Sequence, residues 1–204
     1  LGLGIQEVTH GLARAFGLPR PTGALVSRVQ PRSAAERAGC RVGDIVLGFD
    51  GRTAMSYAEI QRAVAEKSPG TAITLALWRG GAIRHVGLAV ASAPPEPALT
   101  VASERPGAPQ GDRLGLVVAE APSGRRAPPG DAGPEVRESY GAALRAGLGA
   151  GDQIVGVNHT FVRDVADYET ALSRLPRSAP VALLVMRDGR TRYFALDPGA
   201  DPTR

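Results

Sequence analysis

Apolar and polar positions alternate along Gly23-Ala-Leu-Val-Ser-Arg-Val29, which predicts a strand. A second strand is predicted over Asp44-Ile-Val-Leu-Gly-Phe-Asp50, reached through a turn at Gly43 and left through Asp50-Gly51. The period then changes: Tyr57, Ile60, Ala63 and Val64 recur at helical spacing, as do Val165, Tyr168, Ala171, Leu172 and Leu175 further on. Alternation resumes from Thr71 to Trp78 toward Arg79-Gly80-Gly81, and from Val181 to Met186 toward Asp188-Gly189. Each predicts a hairpin.

These elements occur twice because the chain contains a repeat. Ser33-Ala-Ala-Glu-Arg-Ala-Gly39 and the following Cys40-Arg-Val-Gly-Asp-Ile-Val46 reappear as Gly141-Ala-Ala-Leu-Arg-Ala-Gly147 and Leu148-Gly-Ala-Gly-Asp-Gln-Ile154. Gly39/Gly147, Asp44/Asp152, Ile60/Tyr168, Val64/Leu172, Leu75/Leu183 and Arg79/Arg187 all keep a shift of 108 positions. Nearer the front, Leu3-Gly4-Ile5 matches Leu114-Gly115-Leu116 at a shift of 111, so the copies differ by about three residues in their loops. Proline-rich sequence around Ala93-Pro-Pro-Glu-Pro97 and Arg105-Pro-Gly-Ala-Pro109 reads as a semi-extended linker. A second such stretch, Pro122 to Pro134, reads as a surface loop inserted into the second copy, where the first has an ordered segment around Leu12 to Pro21. The expected organisation is a domain over 1–92, a linker over 93–111, a second domain over 112–198 with its insertion at about 121–134, and a tail over 199–204. Each domain is a small, mainly antiparallel sheet with one principal helix.

Composition narrows the chemistry. The chain of 204 residues carries a formal charge of +4, almost all of its positive charge is arginine, and Lys67 is its only lysine. The arginines are spread along the chain, as on a solvated surface and unlike a nucleic-acid-binding run. Aromatic residues make up 4 %, so the core must be built from Val, Leu, Ile and Ala. A lone cysteine, Cys40, excludes an internal disulfide and a cysteine metal cluster, and its apolar neighbours predict a buried thiol. No apolar run approaches the roughly 20 residues of a membrane span. Asp44 and Asp152, in Gly-Asp turns before strands, read as backbone caps and not as an acid or metal site. Gly147-Leu-Gly-Ala-Gly151 lacks the Gly-Lys-Ser/Thr ending of a phosphate loop.

The Gly2-Leu3-Gly4-Ile5 opening, Arg113-Leu114-Gly115-Leu116 in the second copy, the Gly-Asp turns and the helix-then-hairpin order together resemble the PDZ domain, and their order resembles that of HtrA/DegP-like serine proteases. The resemblance covers nearly the whole chain. It implies a mainly β (α+β) fold: two PDZ-like domains, each a small, partly open antiparallel sandwich or barrel with a groove helix. It further implies that Leu3, Gly4, Ile5 and Leu114, Gly115, Leu116 form loops that bind a peptide carboxylate. Gln6, Glu7, Ile60 and Val64 would line the first groove, and Val117, Val118, Tyr168 and Leu172 the second. Physical reasoning runs alongside: successive N–H groups of a tight glycine turn can hold a carboxylate without a charged side chain, and a free strand edge beyond the turn can accept an added peptide strand. Ile and Val in the first pocket favour an apolar terminal residue. Tyr168 narrows the second pocket or offers it a hydroxyl.

A serine protease needs a nucleophilic serine, a histidine and a carboxylate brought together. His10, His85 and His159 do not recur at matching positions, and no serine lies in a nucleophile-elbow context. No catalytic residue, metal ligand or cofactor is therefore expected in this chain. By the resemblance, a protease domain would precede Leu1 in a parent protein of the bacterial periplasm or envelope. The partners implied are peptide C-termini or unfolded proteins, the protease domain itself and a second copy in a homo-oligomer, with no nucleic acid and no membrane span. The alternative from a different class is a non-proteolytic PDZ scaffold for protein–protein interaction or oligomer assembly in the envelope.

Overall fold

The computed structural model describes residues 1–53, 55–90, 111–121 and 133–198. It is mainly β, with two antiparallel sheets, one in each of two units, Leu1–Leu99 and Thr100–Arg204. The division falls within the stretch read as the linker. That linker to residue 110, residues 122–132 of the proposed insertion and the tail lie outside the described residues, so the sequence boundaries stand as a proposal.

The first unit runs β1 (Leu3–Glu7), α1 (His10–Ala15), β2 (Ala24–Val29), α2 (Ala34–Arg37), β3 (Ile45–Phe49), α3 (Tyr57–Ala65), β4 (Ala72–Arg79) and β5 (Ala82–Ala89). Its strands pair in the order β1-β2-β3-β4-β5, which leaves β1 at one edge of an open sheet. The second unit runs β6 (Leu116–Ala119), β7 (Glu135–Ser139), α4 (Gly141–Arg145), β8 (Gln153–Val157), β9 (Thr160–Phe161), α5 (Val165–Ser173), β10 (Val181–Arg187) and β11 (Arg190–Leu196). Here the order is β11-β10-β8-β7-β6, with β9 joined to β8, and β6 is the edge strand.

Local chemistry explains these elements. Both predicted hairpins close through two-residue turns: Arg79 faces Ala82 across Gly80-Gly81, and Arg187 faces Arg190 across Asp188-Gly189. All four turn residues have positive φ, the conformation whose twist matches the flanking strands. Helix α3 starts at a capping box in which the Ser56 hydroxyl accepts from Glu59 N–H while the Glu59 carboxylate accepts from Ser56 N–H. The segment read only as ordered around Leu12 to Pro21 contains helix α1, capped by the Thr9 hydroxyl, with Leu12, Ala13, Phe16 and Leu18 buried. Its one helical turn and a half is too short to stand out as a period.

The cores are aliphatic, as the scarcity of aromatic residues requires. Val26, Leu75 and Leu77 in the first unit and Val136, Ile154 and Leu183 in the second are fully enclosed. Each such side chain stabilises its unit by about 1.5–3 kcal/mol relative to exposure. Cys40 belongs to the first core at 5 % exposure, and burial, together with the Asp44 charge, pushes its thiol up against the opposing pull of Arg79. Native protein at neutral pH is therefore expected to resist a thiol reagent such as iodoacetamide and to react after denaturation. Rapid labelling of the folded chain would contradict this placement.

The two Gly-Asp turns do more than cap a backbone. Asp44 Oδ2 accepts from Arg41 N–H at 2.7 Å, and the carboxylate takes a two-point contact from Arg79, Nε and Nη2 each at 2.6 Å. Arg79 Nη2 also donates to Gly39 O at 2.8 Å. The second unit repeats the arrangement: Asp152 accepts from Gly149 N–H at 2.9 Å and from Arg187 at 2.6 Å twice, and Arg187 reaches Gly147 O at 2.8 Å. Gly39, Asp44 and Arg79, which the repeat pairs with Gly147, Asp152 and Arg187 at one constant shift, are thus a single structural clamp.

Candidate functional site

The opening loop of each unit is a glycine turn whose carbonyls bond to the turn and short helix that follow the unit's second strand. In the first, Gln30 N–H donates to Gly2 O at 2.8 Å and Ala35 N–H to Leu1 O at 3.2 Å. In the second, Tyr140 N–H donates to Gly115 O at 2.6 Å and Ala143 N–H to Leu114 O at 3.1 Å. These bonds match Leu1-Gly2-Leu3 with Leu114-Gly115-Leu116, a shift of 113 and not the 111 read from the sequence. The dihedral angles agree, since Gly2 has φ +80° and Gly115 +82°, whereas Gly4 is an extended residue of β1. The sequence was misread because Leu-Gly occurs twice in succession at the front of the chain. The turn glycine of the first loop is Gly2. Only glycine fits there: a Cβ on Gly2 would lie 2.2 Å from Ser33 Cβ, and one on Gly115 2.2 Å from Tyr140 O.

Strand β1 follows the first turn with Leu3 and Ile5 on one face. Both pack on the first core, as do Leu1 and Val64, all half-buried, over the fully buried Ile60. The structure thus brings Leu3, Ile5, Ile60 and Val64 together. Gly4 and Gln6 fall on the other face by the period of two, and Glu7 is exposed at the end of the strand. Among the described residues, no hydrogen bond engages the N–H of Gly2. The first unit therefore presents a turn N–H, a free strand edge and a half-open apolar patch beside one another.

In the second unit the same positions are shut. Leu114, Leu116 and Tyr168 are each 1 % exposed and Leu172 is 7 % exposed, with Val118 half-buried on the same cluster. Val117, expected in the groove, alternates to the other face of β6. The Tyr168 hydroxyl donates to Asp112 Oδ2 at 2.5 Å, and burial with the adjacent Asp112 carboxylate holds the phenol far above its ordinary range. Arg113 folds over the end of α5, donating to Leu172 O at 2.8 Å and, just beyond the helix, to Pro176 O at 2.8 Å. Asp112 and Glu120 escaped the sequence reading, although each lies within four residues of the recognised motif.

Residues 25–79 match the family model for the PDZ domain. The chain is 33 % identical over 198 residues to a probable periplasmic serine endoprotease of DegP-like type from Halomonas elongata, covering 96 % of this chain and 41 % of that protein. A second relative so named, from Marinomonas sp., is 31 % identical over 196 residues, covering 95 % of this chain and 41 % of the relative. This chain is a PDZ region of the HtrA/DegP-like kind. It spans about two fifths of the length of the curated relatives it matches. Among solved structures, the HtrA-type protease AlgW with a decapeptide aligns at 29 % identity and a TM-score of 0.43, over 47 % of this chain and 30 % of that one. The HtrA3 PDZ domain bound to a phage-derived ligand aligns at 28 % identity and 0.37, over 44 % of this chain and 81 % of that one.

The three histidines of this PDZ region, His10, His85 and His159, are all exposed and lie on α1, β5 and the turn after β8. Among the described residues, no group of three His, Cys, Asp or Glu side chains is placed to hold a metal ion. No helix there is long and apolar enough to cross a membrane.

Proposed function

We propose that the first unit captures the free C-terminus of a peptide or unfolded protein by strand addition to β1. The observation that carries this reading is the juxtaposition of the Gly2 turn N–H, the edge strand β1 and the half-buried Leu3, Ile5 and Val64 over Ile60. The terminal carboxylate would rest on the N–H groups of the Leu1-Gly2-Leu3 turn, main-chain bonds would run along β1, and an apolar last side chain would sit between Ile5 and Val64. The carboxylate-binding role thus moves from the proposed Leu3-Gly4-Ile5 to Leu1-Gly2-Leu3.

In a parent like the relatives, which are named periplasmic serine endoproteases, this capture would deliver substrates to a protease domain outside the chain, in the periplasm. The test uses peptides ending in Val, free or amidated, against the wild-type chain and Val64→Glu. Micromolar binding, lost on amidation and reduced at least about tenfold by Val64→Glu, is expected; tenfold corresponds to about 1.4 kcal/mol. Equal binding of free and amidated peptides would defeat the reading and leave the scaffold alternative.

A further inference from the structure

We infer that the second unit is self-liganded: Asp112 occupies its carboxylate-binding turn from within the chain and closes that groove to free C-termini. The inference rests on the reading that such turns receive carboxylates, and it concerns the site the sequence assigns to Leu114, Gly115 and Leu116.

The contacts of Asp112 are those that a peptide's last residue would make. Its Oδ1 accepts from Leu114 N–H at 2.8 Å and from Leu116 N–H at 3.0 Å. Its own N–H donates to Leu116 O at 2.8 Å, so both edge groups of the first residue of β6 are taken. Its carbonyl accepts the remaining turn N–H, from Gly115, at 2.9 Å. The other carboxylate oxygen receives the hydroxyl of Tyr168, which stands where the first unit has Ile60 and is 1 % exposed. Three turn donors and one edge acceptor are thus satisfied by Asp112, which Tyr168 holds in place.

The far end of the groove is bridged as well. Glu120 follows β6 on its groove face and accepts from Val165 N–H at 3.1 Å, joining the edge strand to the start of α5, where the helix dipole favours a carboxylate. Arg113 joins the loop to Leu172 O near the end of the same helix and to Leu175 O and Pro176 O just beyond it. A peptide strand cannot add to β6 without displacing Asp112, whose carboxylate bonds to Leu114 and Leu116 N–H are charge-assisted and stronger than neutral ones.

The experiment is a calorimetric titration of the full chain with a short peptide ending in a free-carboxylate Val. The wild type is expected to take one peptide per chain, and Val64→Glu none. In the variant Asp112→Ala with Tyr168→Ile, the isoleucine reproduces Ile60 and avoids an orphaned buried hydroxyl; two peptides per chain are expected, and one when Val64→Glu is added. A wild type that takes two peptides, or a folded double variant that still takes one, overturns the inference while leaving the first groove intact. A wild type that takes none overturns the first-groove reading, and binding by the triple variant then upholds the inference alone. Should the double variant not fold, amide exchange on the wild type decides. Leu114 and Leu116 N–H should be protected without peptide and change less than about twofold on its addition, while Gly2 N–H gains protection. Protection of Leu116 that appears only with peptide would overturn the inference.

Discussion

Replacing Asp44 by Ala is expected to destabilise the first unit by about 3 kcal/mol, because it removes one partner of a buried ion pair and leaves the other uncompensated. The Asp44 side chain is 1 % exposed, so its removal empties an enclosed site, strips the 23 % exposed Arg79 of its two-point contact and leaves the Arg41 N–H uncapped. With a urea slope of about 1–3 kcal/mol per molar, the midpoint should fall by roughly 1–3 M. The chain supplies its own probe: Trp78, its single tryptophan, belongs to β4 and donates its indole N–H to Phe16 O at 3.0 Å. Tryptophan fluorescence should register Asp44→Ala and remain unchanged for Asp152→Ala, whose loss appears only in circular dichroism. Arg79→Lys keeps the charge but not the two-point contact and should fall in between. A wild-type fluorescence midpoint for Asp44→Ala would show that the clamp adds nothing to stability.

The second large effect separates the two turns. Gly2→Ala and Gly115→Ala impose the same insult, a left-handed residue costing roughly 1–2 kcal/mol before any steric conflict. At Gly2 the new methyl meets Ser33, at the first end of α2, beside the half-open patch. The expected result is loss of peptide affinity of at least about tenfold, with a smaller change in stability. At Gly115 the methyl meets the Tyr140 carbonyl, in a loop whose N–H groups are already held by Asp112. The expected result there is about 2–4 kcal/mol of lost stability in the second unit, seen by circular dichroism, without change in affinity for the peptide. If Gly115→Ala lowered affinity and left the second unit's stability intact, the assignment of an open and a closed turn would be reversed.

Much of this arrangement was legible before any coordinates. Alternation and helical spacing placed β2, β3, α3, α5 and both hairpins, since a half-buried sheet and an amphipathic helix each impose a period on the chain. The constant shift of 108 carried Gly39, Asp44 and Arg79 together, and a clamp joining three separated positions requires all three to repeat in step. Burial of Cys40 followed from its neighbours. The opening loop was harder. Between the turn and the helical repeat the copies differ in length, so the correct shift of 113 had to compete with 111, and a short Leu-Gly word fits both. Backbone hydrogen bonds from Gln30 and Tyr140 chose between them, and such bonds do not depend on side-chain identity.

By itself, then, the sequence determined that this is a tandem of two small antiparallel units with matching Gly-Asp turns, edge strands and late helices, because periodicity and repetition are properties of residue order. Whether a turn is open or filled was decided only in three dimensions. Asp112 and Tyr168 lie 56 positions apart, and neither residue type announces the other. Only when β6 and α5 pack together does one carboxylate meet two turn N–H groups and a phenol at once. Among the described residues no carboxylate meets the Gly2 N–H, and Leu3, Ile5 and Val64 of the first unit stay half-buried.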